Sequence, residues 1–350
     1  MKINCIIVGG GIIGLMTARE LALEGLEVKI LEKGKVGRES SWAGGGILSP
    51  LYPWKAPETI WPMIMESQKI YPQLCTELKE ETKIDPQWIQ SGLLILEQVD
   101  LAHLDYWANK TGSPYQRLDA KQIFELEPKL NQEIGSAIWL PEVAQVRNPR
   151  LIEALRKSLL QQGVDICEKV EVARITQIKE KVTGVETTQG RIAADIVVVA
   201  AGAWSSQFLP DTSLIKPIRG QMLLMDIFPE LLKRIILRED VYLIPRKDGK
   251  LLIGSSVEDV GFDKRVTREV AEGLYRQASR LVPSLSNYAI VKQWAGLRPG
   301  SVQGIPIIKE SEEVSGLFVN AGHFRNGVAL AIASAKRIRN LIAGQSGQIF

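Results

Sequence analysis

Three glycines near the N-terminus constrain this chain more than any other feature. In "VGGGIIG" (residues 8–14), Gly9, Gly11 and Gly14 are spaced GxGxxG. Residues 4–8 ahead of them form a short apolar run, as a buried parallel strand does. After them, Ile12, Leu15, Met16, Leu21 and Leu23 are spaced for a helix packed on a sheet, and Gly25 stops it. "VKIL" (28–31) reads as the next strand. In that context the first glycine makes a tight turn, the second admits a pyrophosphate, and the third lets helix and strand pack closely. The helix N-terminus then offers amides and partial positive charge to phosphates. Glu32 ends the second strand, 18 residues after Gly14, where a carboxylate accepts from ribose hydroxyls. A dinucleotide site is the reading. A chance glycine turn and a solvated Glu32 are the alternatives, and FAD is not separated from NAD.

Further along, "ESSWAGGGILSP" (39–50) reads as a small-residue loop. Ser40 and Ser41 could bond further phosphate oxygens, and Gly44, Gly45 and Gly46 could let backbone lie against a flat ring. A flexible surface loop is the alternative. Helices are expected over 58–82, with Pro62 and Pro72 kinking or dividing it, and over 119–126, 148–162 and 267–282. Strands are expected at 92–96, within 164–175, at 181–187 and within 194–205. They recur at 217–227, 234–246, 250–255 and 288–295, with Asp248-Gly249 as a hairpin turn. The last unit, "LFVNAGHFRNGVALAIASAKRIRNLIAG", reads as strand, glycine turn and a helix over 326–343. α/β segments at the start, middle and end enclose β-rich ones. That pattern predicts a nucleotide-binding domain of non-contiguous pieces with a second sheet domain inserted.

Composition removes several functions. The 43 basic and 40 acidic residues leave a net charge of +3, with no basic run, so nothing favours nucleic acid. No apolar run reaches the length of a membrane span. Cys5, Cys75 and Cys167 are scattered, which argues for a reducing compartment and against a disulfide frame or metal site. The N-terminus enters an apolar strand directly and reads as structure rather than a signal peptide. A cytoplasmic protein is expected.

Four polar residues stand out near glycines or strand ends. Arg298, in "WAGLRPG", sits between a strand and a turn, where its fork can clamp a carboxylate. A structural ion pair is the alternative. Tyr242, in the apolar "VYLIP", is either a core phenol or a second donor to that carboxylate. In "AGHFRNG", His323 and Arg325 precede a helix N-terminus whose amides can face a ring carbonyl. His103 reads as a surface helix residue.

Together, "VGGGIIG", "VVVAAGAWS", "YLIPRKDGKLLIG", "WAGLRPG" and "AGHFRNG", in this order over nearly the whole chain, resemble the FAD-dependent D-amino-acid oxidase superfamily, most closely the glycine oxidases. The resemblance implies an α/β fold: a glutathione-reductase-like, Rossmann-type FAD-binding domain with an inserted α+β substrate-binding domain on an antiparallel sheet. The expected FAD-binding segments are 1–85, 145–215 and 296–350, and the substrate-binding segments are 86–144 and 216–295. With the glycine motif, the resemblance implies FAD contacts at Ile12, Ile13, Glu32, Lys33, Ser40, Ser41, Gly45, Gly46, Ile47 and Val172. It adds His323, Phe324, Arg325, Asn326, Gly327, Val328 and Ala329. It implies that Arg298 binds the substrate carboxylate with help from Tyr242, and that Arg325 and Ile47 border the substrate. Two positions depart from the family pattern. Ile47 replaces a methionine, and Asp240 replaces a histidine two residues before the tyrosine, which leaves substrate size and pH optimum open. All cysteines lie before residue 170, so noncovalent FAD is expected.

The implied reaction is oxidative deamination of a small amino acid. Hydride passes from Cα to flavin N5, the imine hydrolyses to an oxo acid and ammonia, and oxygen becomes hydrogen peroxide. Glycine imine so formed would feed thiazole formation in thiamine synthesis. One alternative is a dehydrogenase of the same superfamily acting on sarcosine, D-alanine or D-proline with another electron acceptor. Another is a nucleotide-binding protein without redox chemistry. Whether the chain forms a homo-oligomer, dimer or tetramer, is left open.

Overall fold

The computed structural model of the protein describes residues 4–209, 214–227 and 230–344. The outermost residues of the expected FAD-binding segments (1–3, 345–350), together with 210–213 and 228–229, lie outside the described residues.

The opening unit folds as its pattern requires. Strand Asn4–Val8, helix Ile12–Leu23 and strand Glu27–Glu32 form a parallel βαβ unit. They belong to a six-stranded sheet in the order Ile307–Glu310, Leu317–Ala321, Ile196–Val199, Asn4–Val8, Glu27–Glu32, Asp165–Glu168. All neighbours are parallel except the edge strand Ile307–Glu310. Its central strands are largely apolar, because both faces are covered. Helices Ile12–Leu23 and Gly327–Ile342 pack together on one face, joining the two ends of the chain. Asn320 Nδ2, on strand Leu317–Ala321, donates to Thr17 Oγ1 of the first helix at 3.0 Å. A small antiparallel sheet, Val172–Ile178, Lys181–Thr187 and Gly190–Ala193, covers the other face.

The second sheet has eight strands in the order Ile290–Ser301, Ile215–Asp226, Lys250–Gly254, Val241–Pro245, Ile235–Arg238, Leu93–Ile95, Ser136–Leu140, Gln116–Asp119. All pairs are antiparallel except Ile235–Arg238 with Leu93–Ile95. Alternation decides what each residue faces. Val241 and Leu243 join the core under helix Arg268–Leu281, while Tyr242 and Ile244 join the opposite cluster with Met222 and Trp54. The Asp248-Gly249 turn joins two paired strands, as its sequence suggests.

Three local expectations need correction. Residues 39–50 contain a one-turn helix, Ser40–Ala43, packed against strand Ile290–Ser301, with Trp42 edge-on to Trp294 at 5.4 Å. Pro72 does not divide its helix, which runs unbroken over Trp61–Thr82. Burial of Ser67, Tyr71, Leu74, Cys75 and Leu78 on one stripe outweighs the roughly 3 kcal/mol that an interior proline costs. Segment 164–175 splits at Lys169, where φ is +60°, so Asp165–Glu168 and Val172–Ile178 join different sheets. The 12-residue strands Ile215–Asp226 and Ile290–Ser301 pair along nearly their whole length, and the expected divisions at 215/216 and 295/296 fall within them. Among the described residues no helix is long and apolar enough to cross a membrane.

Candidate active site

Between the six-stranded and eight-stranded sheets lies a cavity of about 470 Å³, a volume typical of small-molecule sites. Every site residue expected from the sequence lines it except Gly14 and Ala329, which are buried just behind its wall.

At one end the three glycines differ in what they permit. Gly9 has φ +109°, and a Cβ there would fall 2.5 Å from the Ala200 carbonyl oxygen. At Gly14 a Cβ would fall 2.0 Å from the Gly9 oxygen, so helix and turn touch. At Gly11 it would meet only Ser41 Oγ, at 3.1 Å, so this backbone faces open space. Glu32 has work within the protein: its carboxylate accepts from the Gly10 and Gly34 amides, both at 2.8 Å. It also lines the cavity, with lone pairs to spare. Ser41 Oγ accepts from the Ile12 amide at 2.9 Å, which leaves its own proton to donate. Lys33 Nζ lies 3.5 Å from the centre of the Trp204 ring, and burial pulls its pKa down.

The small-residue wall at 44–46 is held from behind. Asn148 Nδ2 donates to the carbonyls of Ser41 and Gly44 at 2.9 and 3.1 Å, while its buried Oδ1 has no partner among the described residues. Gly46 has φ +74°, and a Cβ there would strike the Val146 oxygen at 2.1 Å. Arg246 is buried with neutral acceptors: the Gly45 carbonyl at 2.7 Å, the Val146 carbonyl at 3.0 Å and Gln145 Oε1 at 2.6 Å. Burial pulls its pKa down to about 10. Ile47 continues this wall and packs with Tyr242 and Met222.

Opposite stands the turn from Gly322 into helix Gly327–Ile342. His323 is buried, its Nε2 2.9 Å from Ser334 Oγ, and its Nδ1 has no partner among the described residues. Burial pushes its pKa down to about 3, so the ring is neutral. Arg325 pairs with Asp240, Nη1 and Nη2 each 3.2 Å from Oδ1.

Between these walls lies Arg298. Its Nη1 donates to the Ser256 carbonyl at 3.0 Å and its Nη2 to Ser255 Oγ at 2.5 Å. Among the described residues no carboxylate lies within ion-pair distance of it, which removes the structural ion pair as its role. Burial is the main cause that lowers its pKa. Tyr242 is buried and donates its hydroxyl to Met222 Sδ at 3.2 Å. A thioether is a weak acceptor and yields readily to a carboxylate. The acids lining the cavity, Glu32, Glu39 and Glu171, belong to the glycine-turn end.

Sequence reasoning missed Asn148, Met222, Gly220, Ser255 and Arg246. Only Gly220 left a signal: it sits inside a strand, where glycine marks close approach of another group. The donor set fits FAD. A helix N-terminus with an open glycine stands at one end, followed by hydroxyl and carboxylate groups and then a wall too tight for any Cβ. Gly11, Ile13, Glu32, Ser40 and Ser41 would hold the dinucleotide part; Gly45, Gly46 and the 323–328 turn would hold the ring.

The family described as FAD dependent oxidoreductase (DAO) matches residues 4–341. Glycine oxidase of Pseudomonas aeruginosa is 42% identical over 349 residues, covering 99% of this chain and 96% of that protein. The bifunctional protein ThiO/ThiG of Trichormus variabilis is 32% identical over 99% of this chain, which spans 53% of that longer protein. In three dimensions, the glycine oxidase of Geobacillus kaustophilus superposes with a TM-score of 0.93 at 30% identity, over 100% of this chain and 97% of that one.

Proposed function

Because the chain belongs to the DAO family of FAD-dependent oxidoreductases, we propose that it is an amino acid oxidase for glycine or a similarly small amino acid. When bound, FAD supplies the acceptor for a hydride from the substrate Cα and the means of passing both electrons to oxygen, giving hydrogen peroxide. The imine left from the substrate takes up water and splits into an oxo acid and ammonia. Supply of glycine imine to thiamine thiazole synthesis is part of this reading.

One observation carries it: a half-buried guanidinium, Arg298, with neutral protein partners, faces the cavity that the glycine turns line. Once cofactor and substrate fill the cavity, a cation there without an anion is costly, and a substrate carboxylate supplies the missing charge. Arg298 anchors it through two prongs, and Tyr242 turns from Met222 Sδ to donate to it. The anchor fixes how Cα faces the ring. No carboxylate lines the cavity beside Arg298, so the amine is not held as an ammonium and enters neutral. Ile47, branched at Cβ, narrows the wall against larger side chains. On this reading segments 1–85, 145–215 and 296–350 hold the cofactor, and 86–144 with 216–295 close over the substrate. A cytoplasmic setting suits three free cysteines, two of them buried.

The test is anaerobic bleaching of the flavin by a panel of glycine, sarcosine, D-alanine and D-proline, followed by peroxide yield under air. Bleaching by glycine with near-stoichiometric peroxide is expected. No bleaching by any member overturns the substrate class, and bleaching without peroxide overturns oxygen as acceptor.

A further inference from the structure

The cavity carries a second guanidinium that the carboxylate anchor does not use. Arg325 sits in the one-turn helix Phe324–Asn326 on the glycine-turn side and lines the cavity. Its partner Asp240 comes from the other sheet, in the turn between strands Ile235–Arg238 and Val241–Pro245. The Asp240 side chain is 72% exposed and that of Arg325 is 27% exposed. Asp240 does not line the cavity, so it holds the guanidinium from outside. Both Nη atoms converge on Oδ1. Other charges close by include Arg298, which feels both Arg325 and Asp240, Glu239, whose carbonyl accepts from the Tyr52 hydroxyl, the Glu97 carboxylate, which accepts from the Glu239 amide, and Lys55, 4.2 Å from the Tyr52 ring centre.

We propose that Asp240 sets the charge selectivity of the site: by occupying Arg325 it reserves the cavity for substrates with a single carboxylate. The inference rests on the reading of Arg298 as the carboxylate anchor given above. Two free guanidiniums on one cavity would make a site for two anionic groups, because each offers a fork matched to a carboxylate. The Asp240 carboxylate takes the second fork. It also sets a negative charge where the distal carboxylate of a dicarboxylic ligand would approach, and like charges brought together there disfavour it. A single-anion ligand meets neither obstacle. Exposure makes the device inexpensive, since Asp240 loses little hydration.

The test compares wild-type holoenzyme with Asp240→Asn, which keeps the side chain's shape and removes its charge. The ligands are malonate and succinate, each against its monoamide, and binding is read from the perturbation of the FAD absorbance spectrum, so turnover is not needed. Wild type is expected to favour the monoamides. Asp240→Asn is expected to shift the ratio at least ~10-fold toward the dianions, with most of the shift lost in the double variant Asp240→Asn/Arg325→Gln and at about 0.5 M salt. A ratio within about twofold of wild type overturns the proposal and leaves the pair a structural tie between the sheets. Glycine turnover by wild type is measured separately. Its absence together with a shifted ratio would sink the functional reading and uphold this one.

Discussion

The guanidinium of Arg298 lies across the backbone of Gly220: a Cβ at that position would fall 2.2 Å from Nη2 and 2.3 Å from Cζ and Nη1. The two residues sit on adjacent antiparallel strands, with Ile218 opposite Arg298 and Gly220 opposite Gly296. A methyl group there must push the guanidinium off its seat on Ser255 and Ser256. Gly220→Ala is therefore expected to lower kcat/KM for the amino acid substrate by about 100-fold, as misplacement of a positioned group does, while FAD still binds. Steady-state kinetics with a flavin spectrum checks this. A loss under threefold would show that Arg298 adapts and that its position is not fixed by Gly220.

Arg298 itself gives a sharper test. Its protein partners are neutral, so its removal strands the substrate carboxylate in a buried place. Breaking a buried pair costs roughly 3–5 kcal/mol, and ~1.4 kcal/mol is a factor of ten. Arg298→Ala should thus lower kcat/KM at least ~100-fold. Arg298→Lys keeps the charge but loses the fork, and should recover only part of the loss. Full recovery by lysine would mean that charge alone, not two-pronged geometry, holds the substrate. Because the amine enters neutral, wild-type kcat/KM should also rise with pH as the free substrate amine loses its proton. A flat profile would sink that step.

The first and last units of the chain were legible because their signals are local. A glycine turn between an apolar strand and a periodic helix is written within 30 or so residues, and both turns reach the cavity. What was not legible depends on partners distant in sequence. Gly220 is eloquent only once Arg298 is known to lie beside it. Asp240 was visible as a departure from a pattern, yet nothing local says that it meets Arg325, 85 residues away. Arg246 ends an apolar strand beside a turn, where an exposed arginine is the ordinary expectation; its burial on three neutral acceptors is a property of the assembled wall. Pro72 shows the opposite failure, a strong local signal overruled by the packing of a long helix.

The opening glycines separate folding from binding. At Gly14 an added methyl meets a carbonyl oxygen at 2.0 Å, backbone that cannot turn aside. Gly14→Ala should destabilise the protein by at least ~3 kcal/mol, at the upper end of overpacking costs, and lose FAD with the fold. At Gly11 the methyl meets only Ser41 Oγ at 3.1 Å, and the backbone is extended at φ −76°. Gly11→Ala should leave the stability of the apoprotein within about 1 kcal/mol and still weaken FAD binding at least ~10-fold, because the methyl enters space the pyrophosphate needs. Chemical denaturation and FAD titration of both variants decide this. Equal loss of stability in the two would show that Gly11 serves the turn rather than the ligand.

His323 makes acid sensitivity a property of the cavity wall. Its folded pKa is depressed to about 3, by burial, from an ordinary value of 6.5. In the unfolded chain the ring takes a proton as pH falls below that ordinary value, while the folded ring stays neutral. The unfolded state then binds more protons, so stability falls as pH falls through this window and levels off near the folded pKa. Between pH 7 and 5 the group should cost roughly 2 kcal/mol, at ~1.4 kcal/mol per unit below the ordinary value. His323→Gln offers a comparable polar group toward Ser334 Oγ and cannot titrate. Denaturant unfolding of both holoproteins at saturating FAD should show the pH 7 to 5 loss reduced by about that amount in the variant. The same loss in both proteins would mean that the folded ring takes up its proton, contrary to its burial.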